Sequence, residues 1–426
     1  MANRAALADP NVGTIVELQV GAPAHGGHCV ARLEGRVVFV RHAIPGETVR
    51  AQITEAGSKG FWRADAIEVL SASPDRVASP WPAAGPGGVG GAELAHLRGP
   101  AQRRWKASVL NEQLRRLAGL DIAAPVVAAS GDDDRAAMGW RTRASFVVGR
   151  DGRAGMRRFR SHDVVALDSM PLATEGLQAL LEQEEVFSRK WKPGTLIDAV
   201  APADGSPGLI LVNGVPWHHG RADHRAGTRK TVQETFQVRG RTLTYRVTAA
   251  GFWQVHRMAP QILVAHVLNL LEQGLTAEGL RGARVADLYS GAGLFTVPLA
   301  AAVGPAGSVA SIEAGAQAVR DARRNLKNYD TVQFHEGKVE SVLPGLGGPF
   351  DAIVLDPPRT GAGRSVVEAI AAVAPQVIVY VACDPAALAR DIALLADHGY
   401  SAESVTGFDL FPATHHLESV ALLTRA

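Results

Sequence analysis

From residue 284 onward the chain repeats one pattern: a short apolar run, a turn, then a helical stretch. Arg284-Val-Ala-Asp-Leu-Tyr289, Ser308-Val-Ala-Ser-Ile-Glu313, Phe350-Asp-Ala-Ile-Val-Leu-Asp356, Gln376-Val-Ile-Val-Tyr-Val381 and Glu418-Ser-Val-Ala-Leu-Leu423 all have strand length. They are nearly continuous in apolar residues rather than alternating, as strands buried on both faces are. Pro260 to Glu272 and Ala316 to Asn328 space their apolar residues for helices. Strands interleaved with helices predict an α/β domain over residues 241–426, with a mostly parallel sheet covered on both faces. Ligands of such sheets bind beyond the carboxyl ends of the strands, so the residues at those ends are the candidates.

Before residue 73 the chain reads as short strands: Thr14 to Val20, Arg36-Val-Val-Phe-Val-Arg41, Glu47 to Ile53 after a Pro45-Gly46 turn, and Trp62 to Leu70. This predicts a small β-barrel of the OB type over residues 1–72, a shape that binds single-stranded nucleic acid or serves as a protein module. Residues 73–100 are rich in Pro and Gly and read as a linker. Trp105 to Leu117 is helical in spacing, Ala144 to Val148 and Val164 to Leu167 are strand-like, and Glu175 to Phe187 is helical. A mixed α+β central domain is expected over 73–240, with its helix 101–118 packing on the α/β domain. Between Arg98 and Arg160 stand fourteen Lys and Arg against six Asp and Glu, in a chain whose formal charge is only +2. Such a block suits phosphate contacts, here assigned to Arg103, Arg104, Arg141 and Arg143, and equally an Arg-rich solvated surface.

Ala2, Arg4, Asp9 and Pro10 break any leader-like apolar run, and no run is long enough to cross a bilayer. A cytoplasmic, monomeric protein without membrane contact is expected. The two cysteines, Cys29 and Cys383, lie far apart and outside any metal-ligand spacing. A disulfide between them is not expected in the cytosol, and Cys29 suits a small apolar packing role.

Asp287-Leu-Tyr-Ser-Gly-Ala-Gly-Leu294 ends the first strand of the α/β domain. Gly291 and Gly293 let backbone pass close to a ligand, and Glu313, ending the next strand, can accept hydrogen bonds from two ribose hydroxyls. A tight strand–helix turn explains the glycines equally well. The third glycine of the dinucleotide fingerprint is missing, which favours S-adenosylmethionine over NAD. Asp356-Pro-Pro-Arg359 follows another strand, and its prolines fix a rigid turn. They aim Asp356 at a pocket or let it cap the turn.

Cys383 lies between a strand and Pro385, at the start of a helix. Positive helix-terminal charge there is expected to lower the thiol from about 8.5 and favour thiolate; a buried inert cysteine is the plain alternative. Carbon 5 of uracil is a poor nucleophile until a thiolate adds to carbon 6, after which a base must remove the carbon-5 proton. Glu418, opening the last strand, is the candidate base, although a carboxylate before a strand is more often simply solvated.

These segments resemble the bacterial RNA 5-methyluridine methyltransferases. The match runs through Phe252-Trp-Gln254, Asp287 to Gly293, Asp356-Pro-Pro-Arg359, Cys383-Asp-Pro385 and Thr414-His-His-Leu-Glu418, while Gly35 to Val40 and Pro45-Gly-Glu47 resemble a TRAM domain. The resemblance implies a Rossmann-like class I methyltransferase domain behind the barrel and central domain. It implies Gln254, Tyr289, Glu313 and Asp356 around S-adenosylmethionine, with Gly291 and Gly293 in the turn, Cys383 as nucleophile and Glu418 as base. The substrate implied is RNA, with 23S rRNA favoured by the TRAM-like barrel and the tRNA T-loop as runner-up. Many relatives bind an iron–sulfur cluster through four cysteines. Here Trp81, Val89-Gly-Gly-Ala92 and Met170 stand in that region, so no cluster is expected. Asp384 stands where the family usually has Asn, and Lys338 where relatives often carry an acid or amide near the adenine.

Three other readings compete. Amine methylation leaves Cys383 and Glu418 without roles, and Arg359 stands where its motif has an aromatic. Cytosine-5 methylation typically uses two cysteines, and this domain has one. A non-catalytic RNA-binding or folding factor has no use for both Cys383 and Glu418.

Overall fold

The computed structural model describes residues 12–57, 60–275 and 279–425. Residues 2–10, on which the absence of a leader was read, lie outside them. Ile15–Gln19, Pro23–Ala24, His28–Leu33, Arg36–Arg41, Thr48–Ala56 and Phe61–Ser71 form a six-stranded sheet. Alternation sets its inner face: Thr48–Ala56 turns Val49, Ala51 and Ile53 inward, where they meet Leu18, Val38 and Val40. His28–Leu33 escaped the sequence reading because its inward residues, Cys29 and Ala31, are small. Cys29 packs in the core, its thiol 3.5 Å from the Ala43 carbonyl.

A seven-stranded antiparallel sheet follows, built around Arg143–Val148, Leu196–Val200 and Leu209–Val212. The helix Gly99–Ala118 carries Pro100 in its first turn and ends at Gly119, whose φ of 66° permits the left-handed cap. Its Leu110 and Leu114 sit in the same core as Leu388 and Ile392 of helix Pro385–Ala396. The expected boundary at 240/241 cuts a hairpin, Thr231–Val238 with Arg241–Thr248. Val238, on one side of that cut, and Leu243 and Tyr245, on the other, share a core with Leu263 and Val354. The hairpin therefore packs as one unit on the C-terminal sheet and its helices.

That sheet has eight strands, in the order Val332–Glu336, Ser308–Glu313, Arg284–Leu288, Ala352–Leu355, Val377–Ala382, Glu418–Arg425, Tyr400–Asp409 and Val126–Ala128. The first five are parallel; Glu418–Arg425 is antiparallel to both its neighbours. Its final strand comes from the segment read as central domain. Among the described residues no helix is long and apolar enough to cross a membrane.

Candidate active site

Strand register brings the candidates to one edge. Val377–Ala382 and Glu418–Arg425 pair antiparallel with Ala382 opposite Ser419, so the next residues outward are Cys383 and Glu418. In the parallel strands, Leu288 pairs with both Ile312 and Leu355, so Tyr289, Glu313 and Asp356 emerge at the same end. A cavity of about 1140 Å³ opens there, lined by Gln254, Tyr289, Gly291, Glu313, Asp356, Arg359, Cys383, His416 and Glu418. Gly293 is not among its lining residues. It shapes the turn instead, with φ +91° and room for a Cβ only 3.1 Å from Leu326.

Glu313 is held by backbone: Gly291 N–H donates to one carboxylate oxygen at 3.0 Å and Gly315 N–H to the other at 2.6 Å. Each oxygen keeps a lone pair for a further donor. Gly291 has φ +56°, and a Cβ there would meet no protein atom within 4 Å. On the other side of Tyr289 and Glu313 lies a smaller cavity of about 280 Å³, which Lys338 and Gly337 line.

The electrostatics correct one expectation. Burial, and then the charges of Glu418 and Asp356, push the Cys383 thiol up to about 12, against the pull of Arg359. The helix-terminal charge expected to lower it is already taken. Asp384 is the N-cap of helix Pro385–Ala396 and accepts from Ala387 N–H at 2.8 Å. Burial opposes the Asp384 charge, but hydrogen bonds from His25 and Ala387 outweigh it and hold the carboxyl low. Burial, then Asp356, carries Glu418 well above the carboxylate range, and enclosure lifts Asp356 to about 7. Burial, then His415 and Arg359, brings His416 down to about 3, so its imidazole is neutral.

The arginine assignment also changes. Arg143 is buried, donates to Glu234 at 3.2 Å and to the Gly251 carbonyl at 3.2 Å, and so braces the cavity wall. Arg141 Nε donates to the Arg143 carbonyl at 2.7 Å. Arg103 forms a fork with Asp133 at 2.7 and 3.1 Å, and Arg104 pairs with Asp75 at 2.6 Å. Arg103, Arg104 and Arg143 thus each meet a carboxylate, while Arg141 bonds a backbone carbonyl and lines the cavity. Alternation along Arg143–Val148 was the available signal, since it exposes Ser145 between buried neighbours. Ser145, with its cross-strand partner Asp198 at 2.6 Å, lines the cavity and went unnoticed in sequence. Trp81, Val89, Ala92 and Met170 are all buried in one apolar cluster with Phe146 and Leu172. Among the described residues no group of three or more His, Cys, Asp or Glu could hold a metal.

Known proteins align with this arrangement. A family model described as tRNA (Uracil-5-)-methyltransferase matches residues 348–426, a TRAM domain model residues 10–67, and a methyltransferase small domain model residues 265–380. A Streptomyces avermitilis protein named as an uncharacterized RNA methyltransferase is 43% identical over 440 residues, 97% of this chain and 99% of that protein. One of the same description from Bifidobacterium longum is 40% identical, covering 96% of each chain. The fold is that of Pyrococcus abyssi tRNA (uracil-54, C5)-methyltransferase, solved with S-adenosyl-L-homocysteine, at a TM-score of 0.68 and 23% identity over 96% of this chain and all of that one.

Proposed function

This chain belongs to the uracil-5 RNA methyltransferases, and on that premise we propose that it methylates carbon 5 of a uridine with Cys383 as nucleophile and Glu418 as base. The observation that carries the reading is the strand register that makes Cys383 and Glu418 neighbours beside one cavity. The residues present fit S-adenosylmethionine: the open backbone at Gly291 and the free acceptor capacity of Glu313 suit an adenosine ribose. Gln254, Tyr289, Gly291, Glu313 and Asp356 would hold it around the cavity, with Gly293 shaping the turn. When bound, it supplies an electrophilic methyl group on a cationic sulfonium.

Cys383 gives up its proton to solvent as Sγ bonds to carbon 6 of the ring, and the π electrons shift toward carbon 5 and oxygen 4. Arg359 favours the thiolate, being the one charge that lowers the thiol among its main influences. After carbon 5 is methylated, Glu418 takes its proton as a carboxylate, the double bond re-forms and Sγ leaves. The burial that raises the proton affinity of Glu418 makes that carboxylate a stronger base than an exposed one. The uracil must leave its stack to reach this depth, and the barrel and the wall carrying Ser145 and Asp198 are suited to hold the flanking RNA.

We assign the substrate to 23S rRNA, on the TRAM barrel. The tRNA T-loop is the second reading, favoured by the description of the family model over residues 348–426. Mapping 5-methyluridine in RNA from a deletion strain tests both. Loss of one 23S site supports the first, loss of the T-loop site the second, and an unchanged map overturns the function.

A further inference from the structure

We propose that His25, in the tip of the first barrel hairpin, is a positioning residue for the nucleophile turn: it fixes the Asp384 carboxylate beside Cys383. The inference rests on Cys383 being the nucleophile. His25 Nε2 lies 3.0 Å from Asp384 Oδ2, across 359 positions of sequence. The other oxygen, Oδ1, caps helix Pro385–Ala396 by accepting from Ala387 N–H at 2.8 Å. Both oxygens are therefore held, one by the helix that follows the nucleophile and one by the barrel. An ionised carboxylate only accepts, so Nε2 carries the shared proton.

The same hairpin tip reaches the segment that delivers the base. Gly27 has φ +82°, and a Cβ there would stand 3.1 Å from His415 Nδ1 and 3.2 Å from its Cβ. The same nitrogen, His415 Nδ1, lies 3.4 Å from Glu93 Oε2, and His415 stands three residues before Glu418. One barrel turn thus abuts both chain segments that bring Cys383 and Glu418 to the cavity.

The consequence is electrostatic and local. Asp384 is bonded in sequence to the nucleophile, and its charge works against a thiolate next to it. With Oδ2 drawn to His25, that charge faces the barrel. Without His25, only the cap bond restrains the carboxylate, and its free oxygen can turn toward Sγ. The barrel is thereby a structural part of the catalytic turn as well as a surface for RNA.

The test uses the full-length protein, S-adenosylmethionine, and 5-fluorouridine-substituted transcripts of the host 23S rRNA and tRNAs. Fluorine at carbon 5 cannot leave as a proton, so the Sγ–C6 adduct persists and is counted on denaturing gels at saturating RNA. A partly exposed pair of this kind is weak, so His25→Ala should form adduct more slowly by up to about fivefold, with RNA affinity unchanged and the melting temperature lowered by no more than a few degrees. His25→Gln, whose amide N–H reaches about as far, should recover most of the rate. In an Asp384→Asn background, where the cap remains and the charge is gone, His25→Ala should have no effect. The proposal is overturned by wild-type adduct rates in His25→Ala, by the same deficit in the Asp384→Asn background, or by a deficit in RNA affinity alone. Absence of any adduct from the wild-type protein overturns the Cys383 reading, and this inference with it.

Discussion

Replacing Lys106 with Met probes how the chain preceding the base is anchored. Lys106 Nζ is fully buried, 2.5 Å from Asp409 Oδ1 and 3.0 Å from the Phe411 carbonyl, and Asp409 is only 4% exposed. At that distance and an effective dielectric of about 20, the attraction is roughly 7 kcal/mol. Desolvating each ion costs several kcal/mol, so the pair contributes little net stability. Removing one partner is different, because Asp409 stays buried without its cation; this costs about 3–5 kcal/mol. At about 2–4 °C per kcal/mol for a unit of this size, Tm should fall by roughly 6–20 °C. Calorimetry and urea titration followed by circular dichroism measure this. Lys106→Met/Asp409→Leu, with no charge left to strand, should regain more than half of the loss. A single variant within about 1 kcal/mol of wild type, or a double variant less stable than the single, would refute the reasoning.

Glu313→Gln should weaken S-adenosylhomocysteine binding by about tenfold or more in titration calorimetry, the scale of a charged hydrogen bond; an unchanged Kd removes Glu313 from the ribose. The Cys383 thiol, pushed up to about 12, should react slowly with iodoacetamide at neutral pH and faster as pH rises. Because Glu418 is the largest charge raising it, Glu418→Gln should shift that profile to lower pH and speed alkylation at pH near 8. Peptide mass spectrometry separates this site from buried Cys29, and an equal or slower rate contradicts the charge argument. Protein prepared anaerobically should be colourless, since Trp81, Val89, Ala92 and Met170 offer no thiolate; about four irons per chain would contradict that.

The α/β domain was legible because doubly buried strands leave continuous apolar runs: Ser308–Glu313 was bounded to the residue. Tyr400–Asp409 was not, since Ser401, Glu403 and Ser404 interrupt it where one edge faces solvent. Glu313, Asp356, Cys383 and Glu418 stood out as candidates because each ends, directly follows or opens an apolar strand, whereas Gln254 carried no such signal and came only with the family resemblance. Their mutual electrostatics were not. The thiol's surroundings depend on Glu418 and Asp356, which lie on other strands, and on a cap that occupies the helix terminus. The arginines misled for a similar reason. A charge count does not reveal that Arg143 meets Glu234, 91 positions away. Lys106 and His25 carried no local signal at all, because their partners lie 303 and 359 positions distant.

That Cys383 opens the reaction and Glu418 closes it is tested most directly with two variants. Cys383→Ala and Glu418→Gln are incubated separately with substrate RNA and radiolabelled S-adenosylmethionine, then run on denaturing gels. Cys383→Ala should bind RNA yet give neither adduct nor methylated RNA. Glu418→Gln, unable to remove the carbon-5 proton, should accumulate labelled protein–RNA adduct that decays slowly as water substitutes for the base. Normal turnover by Glu418→Gln, or uridine methylation by Cys383→Ala, would contradict it, because the only other cysteine, Cys29, is buried in the barrel core.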